Sequence, residues 1–339
     1  MEQNIPFFSI IIPAYNLENY MHHTIDSIIN QKYQDFELII VDDCSIDNTL
    51  NIITGYEEKY NNITVIKHSE NQTQHIARMN GVNIARGKYI LFLDGDDSYT
   101  EDAFTTLSDI IINNPEYDFY EFGYIEKPSC KTVFPFYSGK DRFLAYFTKD
   151  DYPLQTMWNK VYESNKLKKS FSVMEKVIIK QGVEDIYESI VIAYFFKKTI
   201  NIKEIIVNYT IGSGVSTTYK DYNKTLEYLT SIKKIISLIQ NFLEKTNQNI
   251  SLDNINYRFL SFTIYWYINP QRNIEEKKKL FLQLPDFFDP KIIMEYLFNH
   301  EESYNELRKN LNFITFSKDY RLGNKLLCPL RKIKQLLKC

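Results

Sequence analysis

Within its first hundred residues the chain four times sets a short apolar run against an amphipathic stripe, an order that few folds accommodate. Phe7 to Ile12 is an apolar run halted by Pro13, as in a strand buried on both faces of a parallel sheet. Met21, Ile25, Ile28 and Ile29 then recur at helical spacing. Phe36 to Val41 repeats the strand signature and runs into Asp42-Asp43. Ile52, Ile53, Tyr56 and Tyr60 mark a second helix, with Ser45 and Asp47 as candidate caps. Ile63 to Ile66 is a third strand, Ala77, Gly81, Ile84 and Ala85 a third stripe, and Tyr89 to Leu93 a fourth strand. The alternation predicts an α/β layer with helices on both faces of a mostly parallel sheet. Ligands of such sheets bind beyond the carboxyl ends of the strands. Attention therefore falls on Pro13-Ala14-Tyr15-Asn16, Asp42-Asp43, His68 to Asn71, and Asp94-Gly95-Asp96-Asp97.

The 339 residues are 44% hydrophobic, enough for a substantial core, and their length predicts two to three compact units. Forty Lys and Arg against 43 Asp and Glu give a net charge of -3, which argues against a nucleic-acid binder, since phosphate affinity normally shows as a basic excess. Met1 to Pro6 lacks the cationic and apolar segments of a leader, and no run approaches membrane-spanning length, so a cytoplasmic protein is expected. Cys44, Cys130, Cys328 and Cys339 are widely spaced and read as reduced thiols.

Asp94, Asp96 and Asp97 crowd three carboxylates into four residues, a repulsive arrangement that a divalent cation would relieve, although Asp and Gly are also ordinary turn residues. Asp42-Asp43 has two readings as well: a cap for the next helix, or a carboxylate that accepts the N3-H of a uracil ring. A phosphoacceptor pair of the receiver-domain type is a third. The length of the chain argues against it, as does the lack of a placeable lysine after the last strand.

Four ordered segments carry a resemblance. Phe8-Ser9-Ile10-Ile11-Ile12-Pro13-Ala14-Tyr15-Asn16 comes first, then Val41-Asp42-Asp43-Cys44-Ser45-Ile46-Asp47, then Ala85-Arg86-Gly87-Lys88-Tyr89-Ile90 leading to Asp94-Gly95-Asp96-Asp97. Together they resemble glycosyltransferase family 2 over roughly residues 5–216. The resemblance implies the GT-A fold, a Rossmann-like sheet between helices, and inverting transfer from a UDP-sugar with Mn²⁺ or Mg²⁺. It further implies that Pro13 and Tyr15 lie against the nucleotide, that Asp43 meets the uracil edge beside Asp42, and that Asn71 lies near the base or ribose. Asp94 and Gly95 would approach the ribose, with Asp96 the principal metal ligand and Asp94 assisting. Arg78 stands where such enzymes place an arginine next to the nucleotide, but the asparagine that usually follows is Met79 here.

Gly182-Val183-Glu184-Asp185 precedes the stripe Ile186, Ile190, Ala193 and Tyr194, so an acidic pair opens a helix, where the helix dipole alone would favour it. By resemblance Asp185 is the catalytic base, with Glu184 its substitute, since inversion needs one carboxylate to take the acceptor hydroxyl's proton. In Trp158-Asn159-Lys160, Lys160 either pairs with phosphate or is a solvated lysine on an edge strand. Ser213-Gly214-Val215-Ser216 is either a diphosphate-closing loop, with Ser216 a donor ligand, or a plain turn. His22, His23, His68, His75 and His300 lack ligand spacing and read as structural or exposed.

The expected division is a catalytic domain over 1–218, a helical accessory domain over 219–320 and a basic amphipathic segment over 321–339. Leu229, Ile232, Ile236, Ile239 and Leu243 recur at helical spacing, and Asn247-Gln248-Asn249 suggests a break. The last 19 residues hold six Lys and Arg and no acid, a composition suited to peripheral contact with an anionic membrane as much as to a packed helix. The expected acceptor is a hydroxyl of a cell-surface glycan, of capsule, lipooligosaccharide, O-antigen or teichoic-acid type, free or lipid-linked. Two other classes compete. A sugar-phosphate nucleotidyltransferase would need a glycine-rich basic loop that residues 13–20 lack; a non-catalytic nucleotide-sugar or glycan-binding protein would bind UDP without transfer.

Overall fold

A computed structural model describes residues 5–135, 137, 139, 141–148, 152–180, 182–211 and 221–264, with 280, 283–289, 291–293 and 296 beyond them. The chain divides into two compact units, Met1–Thr217 and Thr218–Cys339.

The four apolar runs form β1 (Phe8–Ala14), β2 (Phe36–Asp42), β3 (Ile63–Lys67) and β4 (Tyr89–Phe92), with α1 (Met21–Ile29), α2 (Thr49–Lys59) and α3 (Thr73–Ile84) between them. β1 and β2 are buried at every position. They pair in parallel from Phe8 opposite Phe36 to Ala14 opposite Asp42, and β1 also pairs in parallel with β4. The strands therefore finish at one level, and the acidic residues emerge together. β1 outlasts the expected end at Ile12. The Ile11 carbonyl accepts from Leu93 N at 3.1 Å, and Pro13, two residues on, faces the same side beyond the last paired residue of β4. Its missing N–H costs no ladder bond there.

The segment Arg86-Gly87 is welded to the sheet. Glu37 Oε1 accepts from Ser9 Oγ at 2.7 Å and from the Arg86 amide at 2.5 Å, while Glu37 Oε2 accepts from Arg86 Nη2 at 2.8 Å. A Cβ on Gly87 would lie 2.6 Å from Ser9 N, so only glycine permits this approach.

Next come β5 (Ser98–Tyr99), α4 (Ala103–Asn113), β6 (Phe119–Lys127), β7 (Lys131–Val133), α5 (Arg142–Ala145), β8 (Lys160–Glu163), α6 (Ser164–Val173), α7 (Glu184–Phe195) and β9 (Thr199–Thr210). The sheet runs β3-β2-β1-β4-β8-β6-β9-β5, with β7 beside β6. β8 lies antiparallel between β4 and β6, so the edge-strand reading of Trp158 to Lys160 is overturned: Lys160 opens an interior strand and is 2% exposed.

The cap assignment at α2 also needs correction. Ser45 Oγ accepts from the Asn16 amide at 3.0 Å, and the Asp47 carboxylate serves the Glu18 and Thr49 amides, so these side chains tie the loops after β1 and β2 to each other and to the start of α2.

In the second unit, α8 (Tyr222–Lys245) buries a stripe that includes Leu229, Ile232, Ile235, Ile239 and Leu243, with Ile235 in place of the expected Ile236. The Asp221 carboxylate caps it by accepting from Lys224 N at 2.8 Å, and Asn247, with φ of 54°, turns the chain away at its other end. α9 (Asp253–Phe262) follows. Among the described residues no helix is long and apolar enough to cross a membrane.

Candidate active site

The start of α3 gathers four of the acidic groups that the sequence singles out, Asp43, Asp94, Glu184 and Asp185. At its start the Asp43 carboxylate accepts from the amides of Gln72 and Thr73, each at 2.7 Å, and from His68 Nδ1 at 2.7 Å. Asp43 thus stands at the positive end of the helix although it belongs to the loop after β2. Thr73 adopts φ of 72°, a strained conformation for a β-branched residue, and the amide it presents to Asp43 compensates. His68 is held from its other side by Asn80, 2.8 Å from Nε2. Three donors leave one acceptor position on the Asp43 carboxylate. Asn71 is exposed and bonds the Asp43 carbonyl at 3.3 Å.

One residue further along, Gln74 Nε2 donates to Asp94 Oδ1 at 2.9 Å. A turn later Arg78, 1% exposed, reaches four carboxylates. Its Nη1 lies 2.6 Å from Asp185 Oδ1, 2.7 Å from Glu188 Oε2 and 3.9 Å from Glu184 Oε1, and its Nη2 lies 3.8 Å from Asp94 Oδ1. Arg78 Nε is buried with no partner among the described residues. Glu188 and His75 complete the cluster, the His75 Nδ1 atom lying 2.7 Å from Glu188 Oε1. Spacing arguments miss Glu188, Gln74 and the partnership of His75. The available signal for Glu188 is a charged residue inside the apolar stretch Ile186 to Ala193, which is buried throughout.

The carboxyls differ sharply. Asp185 keeps 29% of its side chain exposed and Asp94 28%, whereas Glu184 retains 2%. Burial, with the neighbouring Asp185 charge, pushes Glu184 up to about 8. Burial raises Asp94 to about 7, with Arg78 opposing and Asp96 and Asp185 adding to it. Asp185 is raised too, by burial, against the pull of Arg78. Asp97 is fully buried and pushed to about 9 by burial and by Asp94; its Oδ1 accepts from Thr210 N at 2.7 Å, and its Oδ2 has no partner among the described residues. Asp42 is fully buried, and its Oδ2 accepts from Ser45 N at 3.3 Å. Gly95 has room only for hydrogen, since a Cβ would lie 2.5 Å from Leu17 Cδ1.

The fold thus gathers Asp94, Glu184, Asp185 and Glu188 around the Arg78 guanidinium, with Asp43 at the head of the same helix. Pro13 is buried in β1, and Tyr15 is 45% exposed. Lys160 sits in a neighbouring buried cluster, where its charge lowers Asp185. Its Nζ bonds Thr156 O and Asn159 Oδ1 and lies 3.2 Å from Glu121 Oε1, while Glu121 Oε2 holds Arg142 at 2.6 Å. Burial brings the Lys160 ammonium down to about 8. Trp158, next to it in sequence, stacks on Tyr209 at 5.0 Å. Ser216 and the rest of the segment 213–216 lie outside the described residues, as do His300 and 321–339.

Residues 9–129 match the family described as Glycosyl transferase family 2. Over that stretch the chain is similar to glycosyltransferase family 2. A poly(ribitol-phosphate) beta-glucosyltransferase of Bacillus spizizenii is 42% identical over 98 residues, 28% of this chain and 16% of that protein. The matched stretch covers between 16% and 44% of five such curated relatives. Among solved structures, S. aureus TarS 1-349 in complex with UDP-GlcNAc superposes with a TM-score of 0.59 at 18% identity, over 84% of this chain and 82% of that one. A Pyrobaculum calidifontis mannosyltransferase in complex with GDP-Man and Mn2+ gives 0.51 at 15% identity, over 90% and 87%. At these identities the likeness shows a shared fold, and the stretch matched to family 2 holds β1 to β4 and the acidic ends of their strands.

Proposed function

We propose that this chain is an inverting glycosyltransferase that moves a sugar from a UDP-sugar to a hydroxyl of a cell-surface glycan of teichoic-acid type. The observation that carries the reading is the Arg78 guanidinium, which draws Asp185 and Asp94 to one point. Inversion needs a proton acceptor opposite a leaving diphosphate, and here two partly exposed carboxylates from α7 and from the loop after β4 face one another across a fixed cation. Of the acidic pair, Asp185 suits the base because it keeps contact with solvent; Glu184 is buried and held in its neutral form. Asp43, with one acceptor position left, suits the N3-H of uracil, and the relatives' roles in glycopolymer synthesis and the UDP-GlcNAc held by TarS point the same way.

Asp94 and Asp96 suit a divalent cation. Asp94 is raised to about 7, by burial first and then by Asp96 and Asp185 against the pull of Arg78, and Asp97 keeps a buried oxygen with no partner among the described residues. Among the described residues no three His, Cys, Asp or Glu side chains form an ion site, but Mg²⁺ and Mn²⁺ need only one or two carboxylates when phosphate and water complete the shell. The bound ion would neutralise charge on the departing diphosphate. We place the protein in the cytoplasm, with 321–339 supplying peripheral membrane contact near a lipid-linked acceptor. Thermal-shift screening of a nucleotide-sugar panel, with and without Mn²⁺ or Mg²⁺, tests the donor and metal together. UDP-sugars should stabilise most, and only with the ion; Asp96→Ala should abolish the ion's effect. Equal stabilisation of wild type and variant would remove the metal site.

A further inference from the structure

His75 and Glu188 do not contact substrate in the reading above, yet both are completely buried, where an ionisable side chain is costly without a purpose or a partner. The imidazole is wedged between two acceptors: Nδ1 lies 2.7 Å from Glu188 Oε1, and Nε2 lies 3.1 Å from the Glu175 carbonyl. A carbonyl and a carboxylate only accept, and a neutral imidazole donates from one nitrogen alone. Both bonds form together when the ring carries two protons. Glu188 is kept ionised by Arg78, 2.7 Å from its other oxygen, and despite full burial it is held below its ordinary range by Arg78 and His75. Burial lowers His75, but the hydrogen bond to Glu188 and its charge, with the Glu175 carbonyl and the Glu184 charge, together outweigh burial and raise it. The other groups facing the ring are Glu184 and the Tyr187 ring, 6.0 Å away.

The charges then balance in pairs. His75 neutralises Glu188, and Arg78 is left with a full charge for Asp185. We propose that His75 is a positioning residue of sugar transfer: its imidazolium compensates Glu188 so that Arg78 holds Asp185 in place instead of being drawn wholly to Glu188. The proposal rests on Asp185 being the base. Without the imidazolium, the bare Glu188 carboxylate competes for the guanidinium and the Asp185 side chain loses its anchor.

The test uses the full-length protein. Nitrogen-15 spectra of histidine-labelled enzyme near neutral pH should show one ring with both nitrogens protonated, absent from His75→Gln; a neutral His75 would overturn the proposal whether or not any variant folds. In steady-state kinetics with the UDP-sugar that is turned over, His75→Gln should lower kcat about tenfold with donor KM within about twofold of wild type, and adding Glu188→Gln to it removes the competing carboxylate. The double variant, which restores the charge balance, should recover kcat to within about threefold. A double variant no better than His75→Gln, or losses in KM and kcat alike, indicates mere packing and sinks the idea. If no nucleotide-sugar is turned over, it is the transferase reading that fails, and the spectra still decide the charge on His75.

Discussion

At the scale of single residues, the site depends on carboxylates whose partners come from distant parts of the chain. Asp43 is the clearest case, because its three donors come from His68, Gln72 and Thr73 and fix its direction before any ligand arrives. Asp43→Asn should lower UDP affinity by about tenfold or more, because the amide would present a donor where the uracil edge also donates; titration calorimetry measures this. The variant should also lose stability at the α3 start, visible as a lower Tm. His75 and Glu188 carry a pH signature. The raised histidine contributes stability fully below its ordinary value of 6.5 and loses it as pH climbs through its folded value; the depressed glutamate contributes above 4.5 and loses it as pH falls through its own. The Tm gap between wild type and His75→Gln should therefore be widest between about pH 4.5 and 6.5 and close on the alkaline side. Asp43 and Asp185 are legible in the sequence because they sit at a strand end and a helix start, and Arg78, inside α3, through the family resemblance. Their partners are not: Glu188 is 110 residues from Arg78, and no local pattern joins them.

At the scale of elements, α3 is the organiser and the Arg86-Gly87 turn that follows it is its anchor. β1 to β4 were readable because a strand buried on both faces writes itself as an apolar run. β5 to β9 were not, since short strands with one wet face, such as β7 and the middle of β9, resemble loops, and their partners lie far along the chain. Gly87→Ala tests the anchor. The added methyl meets the Phe8–Ser9 backbone, which cannot step aside, so the variant should lose about 1–3 kcal/mol and melt several degrees lower. Wild-type thermal stability would show that the close approach of the turn to β1 is dispensable.

At the scale of the whole molecule, the family 2 match ends at residue 129, while the proposed base comes from α7, so the reading joins a recognised half-site to one assigned by geometry. The basic segment at 321–339 belongs to this scale too. Full-length protein should sediment with anionic vesicles at low salt and release as salt rises, and a chain ending at 320 should not bind; equal binding by both would dismiss the membrane contact. The measurement closest to the central claim is UDP release from a donor that wild type turns over, comparing Asp185→Asn with it alongside UDP binding. Turnover should fall at least about a hundredfold while UDP affinity holds within about threefold. Undiminished turnover in Asp185→Asn would contradict the assignment of the base and, with it, the site built around Arg78.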